Sequence, residues 1–353
     1  MRAVSLFSGA GGMDLGFRRA GVDVVWANDV DPVACRVYAE NGLGAIACGD
    51  LRNFLPDLSA YKGADLIFGG PPCQGFSVAG KMDPEDDRSE LVWAFVAAVR
   101  IVRPKAFVME NVAALYHLRK WSSLRDLLSH AFRDLGYRIH WYVLCSSAFG
   151  VPQRRSRCFI VGVKEYRSTE QSLTSSAGHF WQVRERGPSV RQALAHLDPA
   201  GVGNNVRTCN AAITLARNPV IRRSPYAGML FNGAGRPIDL DGHAPTLCAS
   251  MGGNKTPILD SRRLADPAAD DWVAEYHAHL VRGGLPYAQG SVPSYVRRLT
   301  VDEALALQTF PPDFALSCTK SDAFKLIGNA VPCSLAYYVA SNVTRIFSVS
   351  STF

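Results

Sequence analysis

Three stretches carry residue types that could do covalent chemistry together. The first is Gly69-Gly70-Pro71-Pro72-Cys73-Gln74-Gly75-Phe76-Ser77, which follows the apolar run Ala64 to Phe68. That run reads as a buried strand, so Cys73 falls in the loop at its carboxyl end, the edge where open α/β sheets bind ligands. Two prolines hold the backbone extended and without ladder donors, and the glycines admit conformations closed to other residues. The thiol would therefore stand on a stiff mount. A lone cysteine in such a turn is ordinarily buried and inert, and only its company argues otherwise. The second stretch, Ala106-Phe107-Val108-Met109, is another buried strand, and it delivers Glu110 and Asn111 to the same sheet edge. In the third, Gln153-Arg154-Arg155-Ser156-Arg157 leads into the strand Cys158 to Val163. In an extended segment Arg155 and Arg157 point the same way.

These groups need a scaffold, and the amino-terminal third supplies its pattern. Ala3 to Phe7 is an apolar strand running into Ser8-Gly9-Ala10-Gly11-Gly12, followed by a helical pattern from Met13 to Ala20. Strand, glycine loop and helix form the first unit of a nucleotide-binding α/β sheet, in which backbone amides at a helix start approach a ligand closely. The spacing departs from GxGxxG, so a pyrophosphate cradle is not the natural reading. A second strand, Asp23 to Ala27, ends at Asn28-Asp29-Val30-Asp31, and Asp29 is placed to take a ribose diol. Asp31 precedes Pro32 and reads as a helix N-cap. A third acidic strand end, Cys48-Gly49-Asp50, would accept from an adenine amino group.

Lys81 to Ser89 is polar, lacks apolar anchors and precedes a helix over Glu90 to Val102, which makes it a candidate lid beside Cys73. From about Ser168 to Tyr295 sustained periodicity gives way to turns such as Asn232-Gly233 and Gly252-Gly253, the pattern of a smaller loop-rich domain of short strands. A helical pattern resumes at Arg297 with Thr300 as N-cap, and Phe324 to Pro332 opens a final apolar helix through Ile346. The expected fold is thus α/β, a Rossmann-like sheet with helices on both faces. One domain comprises 1–180 and 323–353, and a small second domain 181–322.

The 353 residues carry a net charge of +7, which favours a polyanionic partner. Between Trp181 and Thr300 there are 14 Lys+Arg against 9 Asp+Glu, so the excess is concentrated in the middle. Nine scattered cysteines without a CxxC pair fit a reducing cytoplasm and argue against zinc. The His277-Ala278-His279 pair lacks partners at ligand spacing, so no metal is expected. No apolar run approaches membrane-spanning length and no leader pattern opens the chain.

Taken in order, these blocks resemble the DNA cytosine-5 methyltransferases: Phe7 to Gly12, Pro71-Pro72-Cys73-Gln74, Glu110-Asn111-Val112, Gln153 to Arg157, Arg297-Arg298-Leu299-Thr300 through Gln308, and Gly328-Asn329. The match spans roughly two-thirds of the chain. In the middle segment, Pro245-Thr246-Leu247 with Gly252-Gly253 is similar to the Thr-Leu dipeptide and glycine loop of the family's target-recognition domain. One departure is Val30, where many members carry an aromatic residue.

The resemblance implies a methyl transfer from S-adenosylmethionine to carbon 5 of a cytosine in duplex DNA. Cys73 would add to carbon 6, making carbon 5 an enamine carbon. Glu110 would neutralise charge at ring nitrogen 3, with Arg155 and Arg157 facing the base carbonyl and the carboxylate. The target base would leave the duplex, since its reacting edge is inaccessible there. Cofactor contacts are implied for Phe7, Ser8, Gly9, Gly11, Gly12, Asp29, Val30, Asp50, Leu51, Pro72, Asn329 and Ala330, and DNA contacts for Gln74, Ser77, Arg88, Asn232, Arg236, Thr246, Gly252 and Gly253. Asn232 is a candidate to fill the space the base vacates. The chain's compactness resembles bacterial modification enzymes, which implies a monomer paired with a restriction endonuclease; a solitary regulatory enzyme is equally compatible. Two rival readings are a tRNA methyltransferase of the same family and a catalytically dead DNA-binding module.

Overall fold

The computed structural model describes residues 1–72, 90–164 and 185–349. Cys73, Gln74, Ser77, Arg88 and the candidate lid lie outside the described residues.

The chain divides into two compact units. The first comprises Met1–Phe149, Ser156–Glu185 and Val331–Phe353. Its centre is a seven-stranded sheet made of β1 (Arg2–Leu6), β2 (Asp23–Asp29), β3 (Ile46–Cys48), β4 (Leu66–Gly69), β5 (Ala106–Val112), β6 (Tyr137–Cys145) and β7 (Ser156–Lys164), in spatial order β3-β2-β1-β4-β5-β7-β6. β1 to β5 are parallel, and β7 runs antiparallel to both its neighbours. β1 and β4 run as near-continuous apolar stretches because helices cover both faces of such a sheet. Its order reverses between β1 and β4, the kind of switch point at which open α/β sheets bind ligands beyond the strands' carboxyl ends.

The helices of this unit are α1 (Gly12–Arg19), α2 (Pro32–Glu40), α3 (Leu51–Phe54), α4 (Glu90–Val102), α5 (Ala113–His117) and α6 (Ser122–Asp134), with a helix over Cys333–Val349 at the end of the chain. On one face Val4, Leu6 and Ile67 pack with Phe95, Phe107 and Phe132, all buried. Each such side chain contributes about 1.5–3 kcal/mol relative to exposure. Asp31 caps α2 as its sequence position indicates, accepting from Val33 N at 2.9 Å with Pro32 at the first helical position.

The second unit comprises Gly150–Arg155 and Arg186–Ala330. It holds α7 (Val190–Leu194), β8 (Leu215–Val220) paired with β9 (Met229–Phe231), β10 (Ile258–Asp260) paired with β11 (Val296–Arg298), α8 (Ser261–Ala265), α9 (Trp272–Val281), α10 (Val301–Leu307) and α11 (Lys320–Asn329); the chain's last helix, Cys333–Val349, is α12. Leu215, Phe231, Ile258, Tyr276, Leu280 and Val296 form its core.

Three details differ from the sequence reading. The short segment Gly150–Arg155 belongs to the second unit because its backbone pairs there, with Ala244 N donating to Pro152 O and Arg154 N to Ala244 O at 2.9 and 2.8 Å. Arg297 and Arg298 lie in β11 rather than at a helix start, since Ile258–Asp260 offers them a strand partner. The expected final helix is two helices: Ala330 is extended (φ −62°, ψ 146°), and Pro332 denies a donor to the turn before α12. The units accordingly divide after Ala330, not at 322/323.

Candidate functional site

In the antiparallel β5–β7 pair Glu110 stands opposite Phe159 and Val112 opposite Arg157. Residues two apart on a strand share a face, so Glu110 and Arg157 are diagonal neighbours within reach of long side chains. Arg157 Nε donates to Glu110 Oε1 at 2.9 Å, and the two side chains are only 14% and 13% exposed. This is a charge-assisted bond at the carboxyl edge of the sheet. The carboxylate also constrains the neighbouring loop. A Cβ at Gly70 would lie 2.7 Å from Glu110 Oε2, so glycine leaves the acid where it stands. Asn111, buried, donates from Nδ2 to Pro71 O at 3.3 Å and accepts from Val112 N at 2.9 Å. Pro71 is thus tied to β5. Cys158, by contrast, is an inert thiol, pushed up to about 12 by burial first and then by the Glu110 charge.

Arg155 calls for a correction. It precedes β7, so the alternation that would align it with Arg157 does not reach it. Its side chain, 1% exposed, donates from Nη1 to Leu247 O and from Nη2 to Gly328 O, each at 2.8 Å. Within the second unit it ties the Leu247 loop to the last turn of α11. Gln153 does similar work, accepting from Leu247 N at 2.9 Å and donating to Gln308 Oε1 at 3.0 Å, while Thr246 donates to Arg154 O at 2.9 Å. The Thr-Leu dipeptide and the Gln-Arg-Arg segment are therefore one hydrogen-bonded assembly. Asn329 is exposed and Ala330 half-buried, at the end of α11.

At the first strand end, Phe7 holds a left-handed conformation (φ 54°) and is followed by Gly9 (φ 57°) and Gly11 (φ 86°). A non-glycine residue in that region stores strain of the kind found at ligand clamps. The loop is pinned by its neighbours. Gly9 N donates to Asp29 Oδ2 at 2.7 Å, Asp31 N to Asp29 Oδ1 at 2.8 Å, and the Ser5 and Ser8 hydroxyls lie 2.8 Å apart. Burial raises the Asp29 pKa, against the backbone donors of Asp31, Gly9 and Val30. An ionised carboxylate has about four acceptor positions, so Asp29 keeps capacity for a diol. A Cβ on Gly9 would meet nothing within 4 Å, and Val30 is 62% exposed. The Gly9 backbone thus faces open space, with Asp29 and Val30 beside the loop and Gly12 opening α1.

Asp50 is less available than its position promised. It caps α3 through Arg52 N at 2.9 Å and takes Arg52 Nη2 at 2.7 Å, contacts that occupy both oxygens. Arg52 is accordingly the first cause of its lowered pKa. Leu51 buries its side chain in the core, leaving only backbone to face a ligand.

In the second unit, Asn232 Nδ2 donates to Thr214 Oγ1 at 2.8 Å and to Leu215 O at 2.9 Å, and Arg236 Nη1 to Gly228 O at 2.7 Å. These donors, expected at the DNA, hold loops of their own unit. Gly252 is exposed and Gly253 half-buried on the loop after Met251. His277 and His279 direct Nε2 to the carbonyls of Arg222 and Leu285, at 2.7 and 2.9 Å. Sequence reasoning missed Asp14, which is wholly buried in α1 and accepts from Tyr38 Oη at 3.0 Å. An acid three residues after a glycine turn looks like a first-turn helix residue, and only the packing of α2 shows otherwise.

The family model described as C-5 cytosine-specific DNA methylase matches residues 1–345. The chain is 33% identical over 347 residues to the Type II methyltransferase M.HindV of Haemophilus influenzae, covering 97% of this chain and 96% of that one. It is 37% identical over 432 residues to M.AgeI of Thalassovita gelatinovora, covering 97% and 99%. Among solved structures, a putative DNA modification methyltransferase encoded within an E. coli prophage superposes with a TM-score of 0.68 at 22% identity, covering 99% of each chain. S. pombe Dnmt2 methyltransferase gives 0.67 at 18% identity, covering all of both chains. At those identities the structures show the shared Rossmann-like fold alone. The sequence matches go further, and by them this chain belongs to the C-5 cytosine-specific DNA methylases and is a DNA (cytosine-5)-methyltransferase.

Proposed function

We propose that the protein methylates carbon 5 of a cytosine within a specific duplex sequence, as the modification enzyme of a restriction-modification pair, through a transient bond from Cys73 to carbon 6. The observation that carries this reading is the Glu110–Arg157 pair at the sheet edge, next to Gly70, with the adjoining Asn111 tethered to Pro71 immediately before the Pro72-Cys73 dipeptide. S-adenosylmethionine, bound over the Phe7–Gly12 loop and Asp29, supplies an electrophilic methyl group.

The remaining work falls to side chains of this protein. Carbon 5 of cytosine is a poor nucleophile until sulfur adds at carbon 6, which places an electron pair on carbon 5 and negative charge toward nitrogen 3. Glu110 meets nitrogen 3 and the exocyclic amine, so one group both selects cytosine and stabilises the developing charge. Arg157 holds that carboxyl in register from the next strand. Loss of the carbon 5 proton and expulsion of Cys73 then restore aromaticity. The base must leave its stack to reach this edge, at a cost of a few kcal/mol. Arg155 serves at one remove, by clamping Leu247 and Gly328.

The relatives' description as Type II methyltransferases supports a modification role, and we infer from a DNA substrate that the enzyme is cytoplasmic and acts as a monomer. No described helix is long and apolar enough to cross a membrane. The test is incubation of the purified protein with labelled S-adenosylmethionine and either plasmid DNA or total tRNA, followed by bisulfite sequencing. Label in plasmid cytosines at one recurring sequence is expected, and label confined to tRNA would overturn the reading.

A further inference from the structure

The arginines of the second unit fall into two sets. Arg191, Arg207, Arg263 and Arg297 pair with carboxylates, and Arg236 and Arg298 bind backbone carbonyls. Six are exposed and make no side-chain hydrogen bond or ion pair to any described residue: Arg154, Arg186 and Arg282, and the trio Arg217, Arg222 and Arg223. The trio lies within one seven-residue stretch along β8 and the turn after it. Three uncompensated guanidinium groups so close together repel one another, and a polyanion relieves that repulsion.

The stretch borders an open cleft of about 690 Å³, lined by Arg217, Asn218, Val220, Met229, Asn232 and Gln289 among others. Its walls are fixed from within. Asn232 donates to Thr214 and Leu215, Gln289 Nε2 donates to the same Leu215 carbonyl at 3.0 Å, and buried His277 holds the Arg222 carbonyl at 2.7 Å. On this rigid frame Asn218 is exposed and, like Arg217, makes no side-chain hydrogen bond to a described residue. Val220 and Met229 are large apolar side chains left 43% and 41% exposed.

A guanidinium, a primary amide and apolar groups on one rigid cleft match what a major groove displays: guanine O6 and N7, adenine N6 and N7, and the thymine methyl. We propose that this cleft reads base edges, with Arg217 and Asn218 as specificity-determining residues and Arg222 and Arg223 as phosphate contacts. The proposal rests on duplex DNA being the substrate. Arg217 selects a G·C pair and Asn218 an A·T pair, while the adjoining arginines hold the duplex in register without reading sequence.

The test is methylation of a randomised duplex library by the wild type, Arg217→Ala, Arg217→Lys, Asn218→Ala and the Arg222→Ala/Arg223→Ala double variant, read by bisulfite sequencing. All the altered side chains are exposed, and matching thermal melts verify the fold. Arg217→Ala and Asn218→Ala should each relax selection at one position, by about tenfold to a hundredfold. Arg217→Lys, which keeps the charge and loses the fork, should relax the same position as Arg217→Ala. The double variant should bind every duplex more weakly and lower the slope of log affinity against log salt by about 2, one per arginine, with its sequence preference unchanged. Unaltered selectivity in both the Arg217 and Asn218 variants would overturn the proposal, as would equal loss of methylation at all sequences. A wild type that labels only tRNA would instead overturn the substrate on which it rests.

Discussion

At the scale of single residues, the account turns on where a few charged groups find partners. Glu110→Gln keeps the shape of the acid and removes its charge and its proton. We expect methyl transfer to fall by about 10²–10⁴-fold, the usual worth of a positioned acid or base, with DNA binding retained; undiminished turnover in a labelled-cofactor assay would contradict that. Gly70→Ala should fail for a different reason, because the new Cβ would sit 2.7 Å from Glu110 Oε2 and displace it. Asp14 gives a pH signature. Burial, opposed by the Ser5 and Tyr38 hydroxyls and by Arg18, pushes it up from 3.8 to about 6. Cys333 of α12 adjoins it and is raised, chiefly by its own burial and in part by the Asp14 charge. The folded protein therefore holds a proton on Asp14 that the unfolded chain releases. The associated stability is complete below about pH 4 and is lost as pH rises through 6, an effect of about 3 kcal/mol. Urea unfolding at pH 4.5 and 7.5 should show Asp14→Asn gaining on the wild type by most of that amount at the higher pH, whereas parallel pH dependences would contradict the assignment.

At the scale of elements, the sequence was most legible where local chemistry and tertiary packing agree. Asp31-Pro32 marks the start of α2, and the apolar run from Val92 to Val102 carries α4, because cap and periodicity each suffice there. The Glu110–Arg157 register follows once β5 and β7 are recognised as strands. Arg155 was read as sharing a face with Arg157, and only the fold shows it buried and donating to the carbonyls of Leu247 and Gly328, both distant in sequence. Arg297 and Arg298 look like the polar face of a helix, and their strand character comes wholly from Ile258–Asp260, distant in sequence. A capping box does show in the sequence at Thr300. Its hydroxyl accepts from Glu303 N at 3.0 Å, Glu303 Oε2 accepts from Thr300 N at 2.9 Å, and Glu303 also pairs with Arg297. Thr300→Ala should cost about 1–2 kcal/mol, measured by urea unfolding, and a change below a few tenths would mean the cap is dispensable.

At the scale of the whole molecule, the sheet reverses its order between β1 and β4, and a loop-rich unit carries most of the excess positive charge, which favours a polyanionic partner. The basic excess was countable from the sequence. Which arginines are free was not, since that depends on which carboxylates fold back onto Arg191, Arg207, Arg263 and Arg297. The domain boundary was hidden for a similar reason, because six residues, Gly150–Arg155, join the second unit through pairing that no local pattern announces. The claim that binds both units to one activity is a sulfur–carbon bond between Cys73 and a cytosine. The most direct measurement uses a duplex carrying 5-fluorocytosine at the methylated position, incubated with S-adenosylmethionine. Fluorine cannot leave as a cation, so the adduct should persist as a covalent protein–DNA complex on a denaturing gel, form with the wild type, and vanish with Cys73→Ser. An equal yield of that complex from Cys73→Ser, or methylation by that variant at the wild-type rate, would contradict the account.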